Sequence, residues 1–281
     1  MSTAPASFGR RLQEETAARG RLVAGIDPHA ALLESWGLPD SPAGLREFSR
    51  TVLEAVTGHV AALKPQSAFF ERHGSAGVAV LEELLAAARA AGVLTILDVK
   101  RGDIGSTMDA YARAHLLPGA PLEADAITVS PYLGTGSLDP AGELALAHGK
   151  GLFLLALTSN PDGPQVQHAR TDQDTPVALE IARHAERIGG AAPGEWSSIG
   201  LVVGATVGDA YRCLGLDAAA PSVPLLAPGV GAQGAGPAEI ADVFGERAGQ
   251  ALVSVSRGLL AAGPDRAALA QRAEELATTF R

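Results

Sequence analysis

Cysteine is almost missing from this sequence: Cys213 is the single example among 281 residues. An intrachain disulfide and a metal centre built from several thiolates are therefore excluded. No catalytic motif surrounds Cys213, so it is expected to be a small apolar packing residue. Aromatic residues make up only 4% of the chain, which leaves Ala, Val, Leu and Ile to fill a core. No run approaches the ~20 uninterrupted apolar residues of a membrane-spanning helix. The first residues, MSTAPASFGRRLQEET, carry charge without the apolar stretch of a signal peptide. A soluble, cytoplasmic protein with no membrane partner is the expectation. Positive charge is also in deficit, with a net charge of −9. Non-specific nucleic-acid binding needs clustered Lys and Arg, so that class of partner is not expected. A phosphorylated small molecule remains open, because one Arg and a few backbone amides can hold it.

What is present is ordinary globular material, 47% hydrophobic and 19% charged, enough to bury a substantial core. Eight short apolar runs recur along it: residues 22–27, 61–66, 93–100, 126–131, 151–159, 197–205, 224–230 and 251–257. Each is hydrophobic through most of its length, the pattern of parallel strands buried on both faces. Helical periodicity fills the gaps at 45–60, 78–91, 176–188 and 237–249, and residues 138–148 suffice for another helix. Eightfold strand–helix alternation without a linker predicts one (β/α)8 TIM barrel over residues 1–281. A doubly wound open sheet is the rival architecture. It calls for a Gly-rich fingerprint after the first strand, and Gly25-Ile26-Asp27-Pro28 is not one.

The strand ends carry the chemistry. Asp27, Lys64, Asp98 with Lys100, Ser130, Ser159 and Arg257 close six of the eight runs. In a barrel these ends meet at the C-terminal rim, where active sites sit. Asp98 and Lys100 stand two apart on a strand, so alternation points both side chains to one face. Gly102 then lets the chain turn, bringing Asp103 within reach of the lysine. Opposite unit charges ~4 Å apart attract by about 4 kcal/mol at an effective dielectric of ~20. An ammonium fixed between carboxylates suits delivery of a proton to a carbanion better than removal of one. Lys64 extends the set to alternating Lys and Asp. An ion-pair cluster that merely closes the barrel mouth is the competing reading. After the seventh strand comes a Gly-rich loop, GVGAQGAG at 229–236, with Gln233 in it, and Arg257 ends the eighth. That pair is where barrels commonly bind phosphate, through backbone amides and a bidentate guanidinium. The polar segment SNPDGPQVQHARTDQDT at 159–175 is either a loop that covers the site or a surface insertion. Ser106 and Asp109 read as a capping pair for a helix starting near Thr107. His29, His73 and His168 lack metal-ligand spacing and are expected in solvated loops.

Residues 97–107, LDVKRGDIGST, resemble the Asp-x-Lys-x-x-Asp signature of the orotidine 5′-phosphate decarboxylase family in its bacterial type 2 form. Gly25-Ile26-Asp27-Pro28, Lys64-Pro65-Gln66, Thr158-Ser159-Asn160-Pro161, Val203-Gly204-Ala205-Thr206, the loop from Ala227 to Gly234 and Ser256-Arg257-Gly258 follow in the family's order. The resemblance implies decarboxylation of orotidine 5′-phosphate to uridine 5′-phosphate, with no metal and no cofactor. It implies that Lys100 protonates the pyrimidine carbon, that Asp98 faces the departing carboxylate, and that Lys64 and Asp27 hold the ribose. Asp103, Ile104 and Thr107 would reach into the site of a second subunit, making a homodimer necessary. Ser159 would contact the pyrimidine, and Gln233 and Arg257 the 5′-phosphate. Magnesium-dependent sugar-phosphate lyases of the same superfamily carry a Glu at the end of strand 2, where this sequence has Lys64. A non-catalytic nucleotide-binding barrel and a Schiff-base aldolase are further alternatives. The first requires loss of a charged member of the network, and the second a lysine freed of acidic neighbours.

Overall fold

The computed structural model describes residues 6–189, 191–231 and 234–281. Its eight strands are β1 (Leu22–Ile26), β2 (Ala62–Pro65), β3 (Ile96–Arg101), β4 (Ala126–Val129), β5 (Gly151–Leu157), β6 (Ile199–Val203), β7 (Leu225–Ala227) and β8 (Ala251–Val255). The principal helices are α1 (Phe8–Arg19), α2 (Pro42–Val56), α3 (Gly74–Ala90), α4 (Gly105–Leu116), α5 (Asp139–Ala147), α6 (Val177–Gly189), α7 (Pro237–Phe244) and α8 (Arg266–Thr279). All strand pairs are parallel, in the order β2-β1-β8-β7-β6-β5-β4-β3. The ring closes between β2 and β3 through the bridges Leu63 to Thr95 and Gln66 to Asp98. There the Leu63 N–H donates to the Leu94 carbonyl at 2.8 Å. The eightfold alternation thus forms the expected (β/α)8 barrel, and each predicted run overlaps one strand, β3 running one residue past the predicted end to Arg101.

Two apolar shells hold it. Inside the barrel, Val23, Ala62, Ile96, Ala126, Phe153, Val202, Leu226 and Leu252 form one buried cluster. Phe8 and Leu12 of α1 plug its N-terminal end. Outside, the alternate residues of the same strands pack against the helices. Helix α2 shows why the helices stop and start where they do. Ser41 accepts the Gly44 N–H and Pro42 opens the first turn, while Leu45, Phe48, Val52 and Val56 line its buried face. The helix predicted to end at residue 249 is shorter: α7 stops at Phe244, and residues Gly245–Gln250 tighten into a 3-10 turn.

Charged groups brace the N-terminal end of the barrel, where Lys150 pairs with Glu123 at 2.7 Å and Arg11 with Asp125 at 2.8 Å. Cys213 overturns its expectation: it is exposed on the outer end of the short helix Ala210–Cys213. Asp209 beside it raises the thiol pKa, the opposite of an activated thiolate. His29 and His168 are exposed as expected, but His73 is half-buried, 3.3 Å from Asp40. Among the described residues no helix is long and apolar enough to cross a membrane.

Candidate active site

The strand that matters most is irregular. Between Leu97 and Arg101, β3 advances four residues while its partner β4 advances two, from Ile127 to Val129. The excess makes a bulge, and Lys100 sits in it at φ 44°, a left-handed conformation rare for a residue with a Cβ. Simple alternation is therefore not what brings Asp98 and Lys100 together. The bulge re-aims the lysine, and its Nζ lies 2.5 Å from Asp98 Oδ1. Gly102 completes the turn under the rim. A Cβ there would stand 2.4 Å from the Ser130 carbonyl oxygen, so only glycine fits.

Around Asp98 the polar groups are dense. Lys64 Nζ reaches its Oδ2 at 3.2 Å, and the Thr128 hydroxyl donates to Oδ1 at 2.8 Å. With its amide nitrogen turned to the carboxylate, Gln66 donates to Oδ2 at 2.8 Å and to the Asp98 carbonyl at 3.1 Å. Burial by itself drives the Asp98 carboxyl pKa upward. The ammonium groups of Lys64 and Lys100, with the hydrogen bonds from Lys100 and Thr128, outweigh it, and the net shift is downward. Asp98 is thus held as a carboxylate in a largely buried place. Lys64 is nearly buried too, whereas the Lys100 side chain is 45% exposed and free to meet a ligand. Asp27 lies at the far side of Lys64, 3.9 Å away, and its Oδ1 is buried without a hydrogen-bond partner.

One part of the expected network is not assembled within the chain. Asp103 forms no ion pair with Lys100; its Oδ1 accepts the Ile104 N–H at 2.8 Å instead. The turn at Gly102 carries residues 103–107 outward, leaving Ile104 62% exposed and Thr107 exposed. Ser106 and Asp109 do not form a capping pair. Helix α4 begins at Gly105 with Ile104 as its uncapped N-terminal neighbour, and Asp109 binds Arg113 one turn on at 2.7 Å. Arg101 pairs with Glu71 at 2.8 Å and lies over the Tyr111 ring.

The remaining candidates line the rim. Ser159 follows β5 and packs against Gly204, where a Cβ would meet the Ser159 Cβ at 3.3 Å. Residues 159–175 are folded rather than loose. Gln167 exchanges hydrogen bonds with Thr158 at 2.9 and 2.7 Å, and Thr171 N–H donates to the Thr175 carbonyl at 2.8 Å. Beside this segment a cavity of about 680 Å3 opens between Ser130, Tyr132, Asn160, Gln167 and Ile181. Arg257 is exposed at the start of the short helix Arg257–Leu260, with no partner for its guanidinium among the described residues. Gln233 lies outside the described residues. Thr128 and Gln66 were not picked out as members of this cluster from the sequence. Both were legible as polar side chains in apolar strands, but attention to strand ends alone passes over an interior threonine.

Residues 20–272 match the model of the orotidine 5′-phosphate decarboxylase / HUMPS family. The chain belongs to that family. The matched span contains every candidate named above. The orotidine 5′-phosphate decarboxylase of Streptomyces coelicolor is 55% identical over 276 residues, covering 98% of this chain and 97% of that one. That of Salinispora tropica is 54% identical, covering 96% and 95%. Among solved structures, an orotidine 5′-phosphate decarboxylase from Streptomyces avermitilis superposes with a TM-score of 0.93 at 53% identity, covering 99% of this chain and 96% of the other. The Leishmania donovani OMP decarboxylase does so with a TM-score of 0.77 at 33% identity, covering 98% and 99%. Within the orotidine 5′-phosphate decarboxylase / HUMPS family, then, this chain carries an ammonium at the end of β2. Among the described residues no three His, Cys, Asp or Glu side chains converge to hold a metal ion.

Proposed function

We propose that this chain decarboxylates orotidine 5′-phosphate to uridine 5′-phosphate, the closing step of de novo pyrimidine nucleotide synthesis, in the cytoplasm. The observation that carries the reading is the buried Asp98 carboxylate clasped by two ammonium groups, Lys64 at 3.2 Å and Lys100 at 2.5 Å. A divalent cation bound at the end of β2 would face the Lys64 charge, which favours the decarboxylase over a magnesium-dependent lyase.

The chemistry follows from the charges. The bond between the pyrimidine carbon and its carboxylate breaks, carbon dioxide leaves, and the electron pair stays on the ring carbon. The Lys100 ammonium neutralises the developing carbanion and then delivers its proton to that carbon. Asp98 stands where the substrate carboxylate must come, and its fixed negative charge opposes the ground state. Asp27 and Lys64 bind the ribose hydroxyls; the Asp27 Oδ1, buried without a hydrogen-bond donor, supports this, since a buried acceptor demands a donor. Arg257 and Gln233 hold the phosphate, and Ser159 meets the pyrimidine. Binding energy from the remote phosphate drives the 159–175 segment over the base and expels water.

The active unit is a homodimer in which Asp103, Ile104 and Thr107 complete the partner's site. Its support is the outward placement of those residues together with exposed Tyr132 and Leu133, at 78% and 52%, an apolar group larger than an isolated surface residue. The test is loss of the ultraviolet absorbance of orotidine 5′-phosphate with purified protein in excess chelator. Turnover under those conditions supports the assignment. Absence of turnover with chelator and its appearance on adding magnesium would overturn it.

A further inference from the structure

Thr128 lies within β4 and is 1% exposed, and its methyl group alone would make it an ordinary core residue. Its hydroxyl is placed otherwise. It accepts two consecutive backbone N–H groups of the β3 bulge, Val99 at 3.1 Å and Lys100 at 3.0 Å, and donates its own proton to Asp98 Oδ1 at 2.8 Å. One donor and two lone pairs are all that a hydroxyl owns, so its capacity is used in full. The same Asp98 oxygen receives the Lys100 ammonium at 2.5 Å. One atom of β4 thus ties together the backbone of the lysine, its neighbour's backbone and the carboxylate that the lysine faces.

We infer that the Thr128 hydroxyl is a positioning residue of the reaction, holding the β3 bulge so that the Lys100 ammonium and the Asp98 carboxylate face the reacting carbon in one geometry. Lys100 needs such a holder. Its φ of 44° is strained for a residue with a Cβ, and strained backbones persist only where neighbours over-determine them. Regular pairing to β4 cannot do this, because the ladder is interrupted between Leu97 and Arg101. A β4 carbonyl could accept the amides but could not return a proton to Asp98. Only a short hydroxyl side chain at this depth does both. The inference rests on the proposed decarboxylation and extends it to a residue that does not touch substrate.

The test compares Thr128→Val, which keeps shape and loses the hydroxyl, with Thr128→Ser, which keeps the hydroxyl and loses the methyl. Misplacement of a catalytic group by about 1 Å costs on the order of 100-fold. Thr128→Val is therefore expected to lose about 100-fold in kcat, with affinity for uridine 5′-phosphate changed by less than about threefold, because the phosphate and ribose contacts survive. Thr128→Ser is expected to stay within about threefold of the parent in kcat. A packing role predicts the reverse order, with Ser the more damaged, and that order overturns the inference. So does a Val variant with parental kcat. Should Thr128→Val not fold, Thr128→Cys is compared with Thr128→Ser, since the two differ little in size but sulfur is a weak donor and acceptor. A drop of about tenfold or more in Cys relative to Ser upholds the inference, and any smaller difference rejects it. Failure of the parent chain to turn over orotidine 5′-phosphate is a separate result that strikes the proposed function instead.

Discussion

The two ends of the barrel each hold a cluster of buried charge, and they are built to opposite standards. At the N-terminal end Glu123 is satisfied on both oxygens, by Lys150 at 2.7 Å and by the Gly119 N–H at 2.8 Å. Asp125 is satisfied likewise, by Arg11 at 2.8 Å and by the Thr95 N–H and hydroxyl at 3.0 and 3.2 Å. At the C-terminal rim Asp27 Oδ1 is buried without a hydrogen-bond partner, Lys100 is strained and half-exposed, and the exposed Arg257 guanidinium has no partner among the described residues. Buried polar groups that are fully satisfied stabilise a fold and specify it, and an incomplete one at a cleft keeps hydrogen-bonding capacity that a ligand can use. The left-handed backbone at Lys100 costs roughly 1–3 kcal/mol that the rest of the barrel must offset. Charge as such does not separate a working site from a brace. Completeness does.

The comparison breaks most visibly if the rim is disabled without harm to the fold. Lys100→Ala is expected to lower turnover by at least about 10,000-fold while thermal unfolding stays near the parent value or rises slightly. Substantial remaining turnover would remove Lys100 from the chemistry. The opposite substitution belongs at the other end. Lys150→Ala leaves the buried Glu123 with Arg89 at 3.5 Å as its remaining cation and is expected to cost up to about 3–5 kcal/mol in urea unfolding, with kcat unchanged at a temperature where the variant is folded. The double variant Lys150→Met with Glu123→Leu recovers much of that loss. If Lys150→Ala lowers kcat without lowering stability, the division between the two ends is wrong.

A smaller effect sharpens the picture between them. Burial, reinforced by the Arg101 cation and opposed by Glu71, lowers the pKa of His115 from 6.5 to about 4. The unfolded chain takes up a proton as the pH falls through 6.5, and the folded chain declines it until about pH 4. Stability is therefore complete above pH 6.5 and decreases across that interval, by about 3 kcal/mol if the site titrates alone. Urea unfolding of His115→Asn is expected to show a correspondingly flatter dependence over the same interval. A slope equal to the parent's would place the acid sensitivity elsewhere.

Much of this could be read before any coordinates. The eight strands were legible because β-branched and aliphatic runs such as Leu22-Val23-Ala24-Gly25-Ile26 bury both faces and recur at regular spacing. Their ends were drawn too long: β7 spans Leu225–Ala227, not 224–230, and β3 starts at Ile96, not Val93. Polar end residues such as Asp27 lie one step past the last ladder pair of their strand. The Asp27, Lys64, Asp98 and Lys100 cluster was legible by residue type and order. How it is held was not, because the bulge depends on Thr128, a residue of a different strand about thirty positions away. Asp103 shows the complementary error. Spacing alone brought it to Lys100, whereas the turn at Gly102 carries it outward. Cys213 was misjudged because residue preference for burial does not say which face of a short helix is covered.

The central claim is that the rim cluster is unfinished in one chain and completed by a second, and mixing two inactive variants tests it directly. Lys100→Ala and Asp103→Ala homodimers are each expected to be inactive, since every site in them lacks one member. Exchange of subunits then produces heterodimers in which both defects fall in one site and the other site is intact. Random exchange at equal concentrations is expected to restore about a quarter of the parent activity. Persistent inactivity after demonstrated subunit exchange, or full activity of Asp103→Ala alone, would contradict the account.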